Sequence, residues 1–503
     1  RRSVELKEFD AEIKDRLKRL EKEEGRRRLP VLSLRSFLEG KKILILGLAR
    51  AGQAAARALL KAGGKVYGFD ESDTVWSSPS VRRLMKKGLN QVKNYQRLKI
   101  DWVITSPGFS DDHPVIQFFK KKGNEVVDEL DFASRFLPGN LIAVTGTNGK
   151  STTVALIATI LKSAGKKVFE GGNLSPGKPL SYALLLPPQD YYVVEVSSFQ
   201  LERARWLNPK VAVILNLTPD HLNRHHTMKD YIDSKARLLD LQGPEGWAVL
   251  NYDDDEVRAL NTRGSAQKVY FSTKKEVMGG YLKRGWIYFR DLLGREKVAR
   301  VTDLKLFGTH NLENALAAIA VARLIGIEVS KVGKGLKSFT GLEHRLEPIR
   351  RFRGVYYLNN SMCTNPRAGV RSLEAVRNSL IKGRQKIILI TGGKEKGLET
   401  REYLEAINRW AAWVILMGEN RYRLAQALSQ LGYERFEVIP TEYGRRRTEN
   451  GRKRVMELAV EAARKRAKRG DVVLFSPAFA SFDMWTDFQE RGKVFKDVVN
   501  RLG

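Results

Sequence analysis

The 503-residue sequence predicts an α/β chain of three domains with mostly parallel sheets. Three observations predict it. Short, nearly continuous apolar runs alternate with helical stretches, which is how strands buried on both faces of a parallel sheet read. Several of those runs end in small-residue turns, the place where open parallel sheets hold ligands. The pattern also restarts near residues 139 and 341, and a chain of this length exceeds one core at ~150 residues per domain.

Residues 1–40 read as a charged helical extension, with Val4, Leu6, Phe9, Ile13, Leu17 and Leu20 at helical spacing. Residues 41–138 open with the strand Lys42–Leu46, a glycine-rich turn holding Gly47, Arg50, Ala51 and Gly52, an Ala-rich helix, and the strand Lys65–Phe69 ending at Asp70. Strand, glycine turn, helix and strand with a terminal acid about twenty residues on make a Rossmann-like unit. A third strand over 101–105 runs into Ser106, Pro107 and Gly108. The central domain, 139–340, carries strands over 141–144, 191–196, 211–217 and 248–251 and a helix over 311–324. The last, 341–503, restarts strands over 354–358, 386–391, 412–417 and 471–475 as a second Rossmann-like domain.

Composition narrows the function classes. Hydrophobic residues reach 42%, so the chain is globular, and the single cysteine, Cys363, excludes an internal disulfide framework and fits a reducing cytoplasm. No apolar run reaches the ~18 residues of a membrane span. The net charge of +32 attracts polyanions in general. Its basic runs, at 26–28, 445–447 and 464–469, are scattered and read as solvated helix faces and loops. No segment interleaves basic with aromatic residues as single-stranded nucleic-acid grooves do, so no nucleic-acid partner is expected.

The strongest local signal is the run Gly146, Thr147, Asn148, Gly149, Lys150, Ser151, Thr152, between a buried strand and a helix. Backbone N–H groups and a helix N-terminus there can wrap a phosphate. Lys150 can reach terminal phosphates, and the Ser151 or Thr152 hydroxyl can hold Mg²⁺. The spacing is shorter than the general phosphate loop, because Val144 stands where the first glycine belongs. Glu195 ends a buried apolar strand, where a bare carboxylate is costly unless a cation satisfies it. His221 follows another strand and can complete a metal site as a neutral imidazole. Together these make a central P-loop ATPase domain with a nucleotide–Mg²⁺ site.

The ordered set GTNGKST (146–152), EGGN (170–173), EVSSFQLE (195–202), TPDHLNRH (218–225), YIDSKARL (231–238), GTHNLENALAA (308–318), GLEHRLE (341–347), TGGKEKG (391–397) and SPAFASFD (476–483) resembles the Mur ligases from about Lys41 onward. EVSSFQLE with SPAFASFD points to their glutamate-adding branch. The resemblance implies an ATP-dependent amide-bond ligase of bacterial peptidoglycan precursor synthesis. It would add D-glutamate to UDP-N-acetylmuramoyl-L-alanine through an acyl phosphate, as a cytoplasmic monomer without a membrane span.

Residue by residue, it implies that Lys150 meets the terminal phosphates, that Ser151 and Glu195 hold one Mg²⁺, and that His221 helps hold a second. Lys235 would carry a CO₂-derived carbamate, turning a cation into a second metal ligand. Asn173 would touch the muramoyl substrate, and Asn314, Arg345 and Asn360 the nucleotide. Thr364, Lys396, Ser481 and Phe488 would bind glutamate. The family's usual acid and lysine are replaced by Asn360 and Met362, and Asp70 is followed by Glu71 and Ser72 rather than Thr and Arg. Contacts to ribose, reacting groups and uracil are therefore expected to differ. The alternatives are a Mur-type ligase for L-glutamate or another amino acid, and a basic nucleic-acid-binding P-loop ATPase.

Overall fold

The computed structural model describes residues 33–174, 177–220, 222–225, 227–305, 309–381, 383–395, 397–440 and 448–503. The helix expected over 4–24, His221 and Lys396 lie outside the described residues.

Three sheets carry the fold. The first joins β1 (Lys42–Leu46), β2 (Lys65–Phe69), β3 (Asn90–Gln91), β4 (Trp102–Thr105) and β5 (Glu125–Asp128), all parallel, in the order β3-β2-β1-β4-β5. The order reverses between β1 and β4, which places the Gly47 and Ser106 turns side by side at the switch point. The helix Leu34–Leu38 buries Phe37 and Leu38, with the Phe37 ring 5.1 Å from Trp102, so this part of the expected extension belongs to the first core.

The second sheet comprises β6 (Asn140–Thr145), β7 (Val168–Gly172), β8 (Tyr191–Glu195), β9 (Val211–Ile214), β10 (Trp247–Asn251), β11 (Gln267–Ser272), β12 (Gly279–Lys283), β13 (Trp286–Asp291) and β14 (Gly294–Arg300). β6 sits between β8 and β9, with Val144 opposite Glu195 and Thr145 opposite Ile214. That register alone sets Glu195 and the turn after β9 beside the loop leaving β6. The helix Lys150–Ser163 that follows is apolar on nearly every side and buried accordingly. β12 to β14 are antiparallel, an extension the parallel pattern did not predict, because their alternating exposure dilutes the apolar runs.

The third sheet holds β15 (Glu347–Phe352), β16 (Val355–Asn359), β17 (Ile387–Thr391), β18 (Ala411–Leu416), β19 (Phe436–Val438) and β20 (Val472–Phe475), ordered β15-β16-β20-β17-β18-β19. β15 alone is antiparallel, at the edge. The described chain forms two compact units: the first two sheets with Glu313–Ser338, and the third sheet with Lys305–Leu312.

Candidate active site

The loop leaving β6 turns on two glycines in left-handed backbone, Gly146 (φ 145°) and Gly149 (φ 84°). Gly149 caps the helix Lys150–Ser163, and a Cβ there would stand 2.3 Å from the Asn314 amide oxygen, so Asn314 lies directly over the loop. Lys150 Nζ donates to the carbonyls of Gly146 (3.0 Å) and Thr147 (2.8 Å). Asn148 N–H donates to Asn216 Oδ1 at 2.7 Å, and Asn216 Nδ2 returns a bond to the Asn148 carbonyl. Thr152 is buried on the first helical turn. Ser151 Oγ donates to Glu195 Oε2 at 2.6 Å, with Glu195 only 5% exposed. A buried carboxylate and a hydroxyl in contact are two hard oxygen donors, the set a Mg²⁺ ion takes.

Lys235 arrives from the helix Met228–Asp240 and is buried. Its Nζ donates to the Gly146 carbonyl at 2.9 Å and stands 4.9 Å from the Tyr231 ring centroid. Burial, reinforced by the nearby Lys150 cation, pulls its pKa down to about 7. A neutral amine, unlike an ammonium, is a nucleophile. Tyr231 OH and Thr147 Oγ1 are 3.0 Å apart, tying the same helix to the loop. Lys150, Ser151, Glu195 and Lys235 thus converge on one loop, as their spacing in sequence could not show.

At the first sheet's switch point a Cβ on Gly47 would meet Ser106 Oγ at 2.3 Å, and one on Gly52 would meet the Gly47 carbonyl at 1.8 Å. Only glycine fits either place. Asp70 accepts from the N–H groups of Leu48 (2.7 Å) and Ser72 (2.9 Å), so its carboxylate builds this turn. Arg50 and Ala51 start the helix Arg50–Lys61 that follows. Two arginines that sequence reasoning missed link this turn region to the central domain. Arg203, buried, donates to Thr105 Oγ1 at 3.1 Å, the Phe109 carbonyl and the Asp111 carboxylate. Arg224 donates to the Pro107 carbonyl at 3.2 Å and to Glu202 at 2.9 Å. Both lie at or just past the end of motifs already singled out, but their partners in the first sheet's turns sit about a hundred residues upstream, beyond local pattern. Gly108 completes the turn, and Asn173 N–H donates to the Glu195 carbonyl at 2.9 Å, beside the metal-type donors.

The second unit carries the remaining expected residues. Arg345 is exposed between His344 (φ 63°) and Leu346 (φ 45°), two non-glycine residues in left-handed backbone. Such strain persists only where surroundings enforce it. Here Asn359 Nδ2 bonds His344 Nδ1 at 2.9 Å, and Asn360 Oδ1 accepts from Leu346 N–H at 3.1 Å. Asn360 Nδ2 donates to Ser372 Oγ (2.7 Å) and Ser476 Oγ (3.1 Å), so its amide is committed to holding three segments together. Met362 N–H donates to the His344 carbonyl at 3.1 Å. Thr364 lines a small cleft with Lys394 and Phe479, while Ser481 is buried after β20 and Phe488 begins the helix Phe488–Asn500.

Arg491, also missed from sequence, is fully buried among these segments. It donates to Ser361 Oγ (3.0 Å), the Ser361 carbonyl (2.8 Å) and the Phe479 carbonyl (3.0 Å), and Ser361 Oγ donates on to the Phe488 carbonyl at 2.7 Å. One guanidinium therefore fixes the loops around Thr364, Ser481 and Phe488 relative to one another.

Residues 144–322 match the Mur ligase middle domain, and residues 344–479 the Mur ligase glutamate ligase domain. The UDP-N-acetylmuramoylalanine–D-glutamate ligase of Caldanaerobacter subterraneus subsp. tengcongensis is 36% identical over 471 residues, 92% of this chain and 99% of the relative. The enzyme of that name from Pelotomaculum thermopropionicum is 38% identical over 468 residues, 92% and 98% of the two chains. Among solved structures, the UDP-N-acetylmuramate–alanine ligase of Thermotoga maritima superposes with a TM-score of 0.54 at 21% identity, covering 92% of this chain and 99% of that one, and shows the same fold. The chain belongs to the Mur ligase family, among its UDP-N-acetylmuramoylalanine–D-glutamate ligases.

Proposed function

We propose that this chain spends ATP to join the alanyl carboxylate of UDP-N-acetylmuramoyl-L-alanine to the amine of D-glutamate. The observation that carries this reading is the convergence of Lys150, Ser151, Glu195 and Lys235 on one glycine loop in a chain with such relatives. A carboxylate is a poor electrophile. Transfer of the γ-phosphoryl to its oxygen, releasing ADP, gives an acyl phosphate with a good leaving group. Attack by the glutamate amine on the carbonyl carbon then expels phosphate and leaves an amide.

The chain's residues divide this work. The loop from Gly146 to Thr152 and the following helix offer N–H groups to the phosphates, and Lys150 supplies the cation that terminal phosphates draw. Asn314 covers the loop, and Arg345, at the position the family resemblance assigns to nucleotide contact, would add a second cation for the nucleotide. Ser151 and Glu195 would hold Mg²⁺, with His221 at a second ion. When bound, such ions offset charge on the transferring phosphoryl. Lys235 with its depressed pKa is suited to take up CO₂ as a carbamate. Gly47, Arg50, Ala51, Gly52, Asp70, Ser106, Pro107, Gly108 and Asn173 form the muramoyl-nucleotide side. Thr364, Lys396, Ser481 and Phe488 form the glutamate side. Among the described residues no helix is long and apolar enough to cross a membrane. A cytoplasmic setting fits these substrates.

Phosphate release is expected only when ATP, the muramoyl nucleotide and glutamate are all present. ATP consumption that persists with either acceptor omitted refutes the reading. An amino-acid panel with the nucleotide fixed is expected to rank D-glutamate first. L-glutamate in that place would assign the chain to a different specificity within the same chemistry.

A further inference from the structure

The +32 charge is not used by the ligase chemistry, and the fold gathers part of it on one face. In the second unit β16, β17, β18, β19 and β20 run parallel, so their amino ends share one edge, away from Thr364 and Ser481. Around that edge Arg351 ends β15 and Arg353 lies in the β15–β16 turn, Arg384 and Lys386 precede β17, and Lys468 and Arg469 precede β20, all exposed. Backbone bonds knit these segments: Gly470 N–H donates to the Gly354 carbonyl, and the buried Asp471 carboxylate accepts from the N–H groups of Lys386 and Lys468, each at 2.8–2.9 Å.

Five helices also end at this edge, those closing at Leu380, Trp410, Gln430, Arg466 and Asn500. Cations at helix C-termini are ordinary, since they answer the macrodipole. That accounts for Arg409, Arg466 and Arg501. It does not account for Arg351, Arg353, Arg384 or Lys386, which lie in a hairpin and a strand lead-in.

The second feature is aromatic. The guanidinium of Arg466 lies 3.8 Å from the Trp413 ring centroid, that of Arg351 4.7 Å from Tyr356, that of Arg435 4.8 Å from Tyr433, and that of Arg353 5.2 Å from Phe352. Arg351, Phe352, Arg353 and Tyr356 share the β15–β16 hairpin, and Trp413 joins them from β18. We infer that this strand-end face docks the enzyme on an anionic phospholipid surface. Single-stranded nucleic acid stacks its bases on open ring faces, and here guanidinium groups cover them. Exposed cations over the half-buried rings of Phe352, Tyr356 and Trp413 match instead the boundary between lipid phosphates and the acyl layer, while Tyr433 is buried beneath Arg435. Adsorbed this way, the strand ends bearing Thr364 and Ser481 point away from the lipid.

The test sediments the full chain with vesicles of phosphatidylglycerol and phosphatidylcholine, or of phosphatidylcholine alone, at about 0.1 M salt. The variant carries Arg353→Gln, Arg384→Gln, Lys386→Gln and Lys468→Gln. The charge-matched control carries Arg82→Gln, Arg83→Gln, Lys86→Gln and Lys87→Gln, exposed on the first unit. Wild type is expected to partition onto the anionic vesicles only. At roughly five-fold per surface cation, the variant should lose on the order of a hundred-fold or more in partition coefficient. The control should lose only a few-fold, and both should keep ligase activity in solution, which reports that they fold. Equal losses in variant and control overturn the proposal, as does undiminished vesicle binding by the variant. Tighter binding of a homopolymeric single-stranded RNA than of the vesicles, abolished by the same four changes, overturns it in favour of nucleic acid.

Discussion

Lys235→Met separates the folding cost of the buried amine from its use. An unfolded lysine keeps its proton up to its model value of 10.5, whereas in the folded chain it is released at about 7. Below pH 7 both states hold the proton, and the folded state bears the full cost of a buried cation. Between pH 7 and 10.5 the unfolded state binds one proton more than the folded one, so stability rises with pH at about 1.4 kcal/mol per unit. Wild type should therefore gain roughly 2.3 kcal/mol on the methionine variant between pH 7, where half the proton is still held, and pH 9, and almost nothing between pH 5.5 and 6.5. Urea denaturation of both proteins, free of CO₂, Mg²⁺ and nucleotide, measures the difference directly. Parallel stability–pH curves across pH 7–9 would show that the amine stays protonated, and carbamate formation would lose its nucleophile. At pH 7.4 a pKa near 7 leaves roughly 70% of the amine neutral, against about 0.1% for an ordinary lysine. Bicarbonate labelled with ¹³C should accordingly mark wild type and leave the variant unmarked.

Gly149→Ala sets a Cβ 2.3 Å from Asn314 Oδ1 in backbone at φ 84°, so it should cost about 1–3 kcal/mol and raise the KM for ATP, read by thermal melting and initial rates. Arg491→Lys keeps the charge but loses the fork that spans Ser361 and Phe479. At ~1.5–3 kcal/mol per charged bond, it should raise the KM for D-glutamate at least ten-fold while leaving the KM for ATP within about two-fold. Equal changes in both constants would refute a positioning role. Burial and the neighbouring Glu129 push the Asp128 carboxyl up to about 8, so folding favours its protonated form. Its stabilising proton is present below the unfolded pKa and lost as pH climbs toward 8, so Asp128→Asn should flatten a decline of wild-type stability between about pH 4 and 8 in denaturation midpoints.

What was legible in sequence followed the range over which each signal acts. β1 and β2 were predicted residue for residue, because apolar runs in a parallel sheet depend on local composition. The loop at Gly146–Thr152 was equally plain, since phosphate binding needs glycines and a lysine at fixed spacing. Glu195 could be flagged as a buried carboxylate, but its contact with Ser151 follows from β8 pairing with β6, a choice among topologies that sequence leaves open. Lys235 looked like a solvated helix lysine apart from the family resemblance, because its burial depends on Thr145 and Gly146 arriving from another strand and its loop.

Arg203 and Arg491 were invisible for a stronger reason. Arginine is a surface residue by default, and nothing local distinguishes one whose five donors will be consumed by distant carbonyls. Their burial costs desolvation, which three directed bonds each offset only if the receiving loops hold still. A guanidinium that needs rigid acceptors also enforces their rigidity. At Arg203 that ties the turn after β4 to the central domain, and at Arg491 it ties the loops around Thr364 and Phe488. The same reasoning separates Asn360 from an acid at its position. An amide can donate to Ser372 and Ser476 while accepting from Leu346, whereas a carboxylate could only accept. The amide therefore fixes this loop by donating and accepting at once, which a carboxylate in its place could not do.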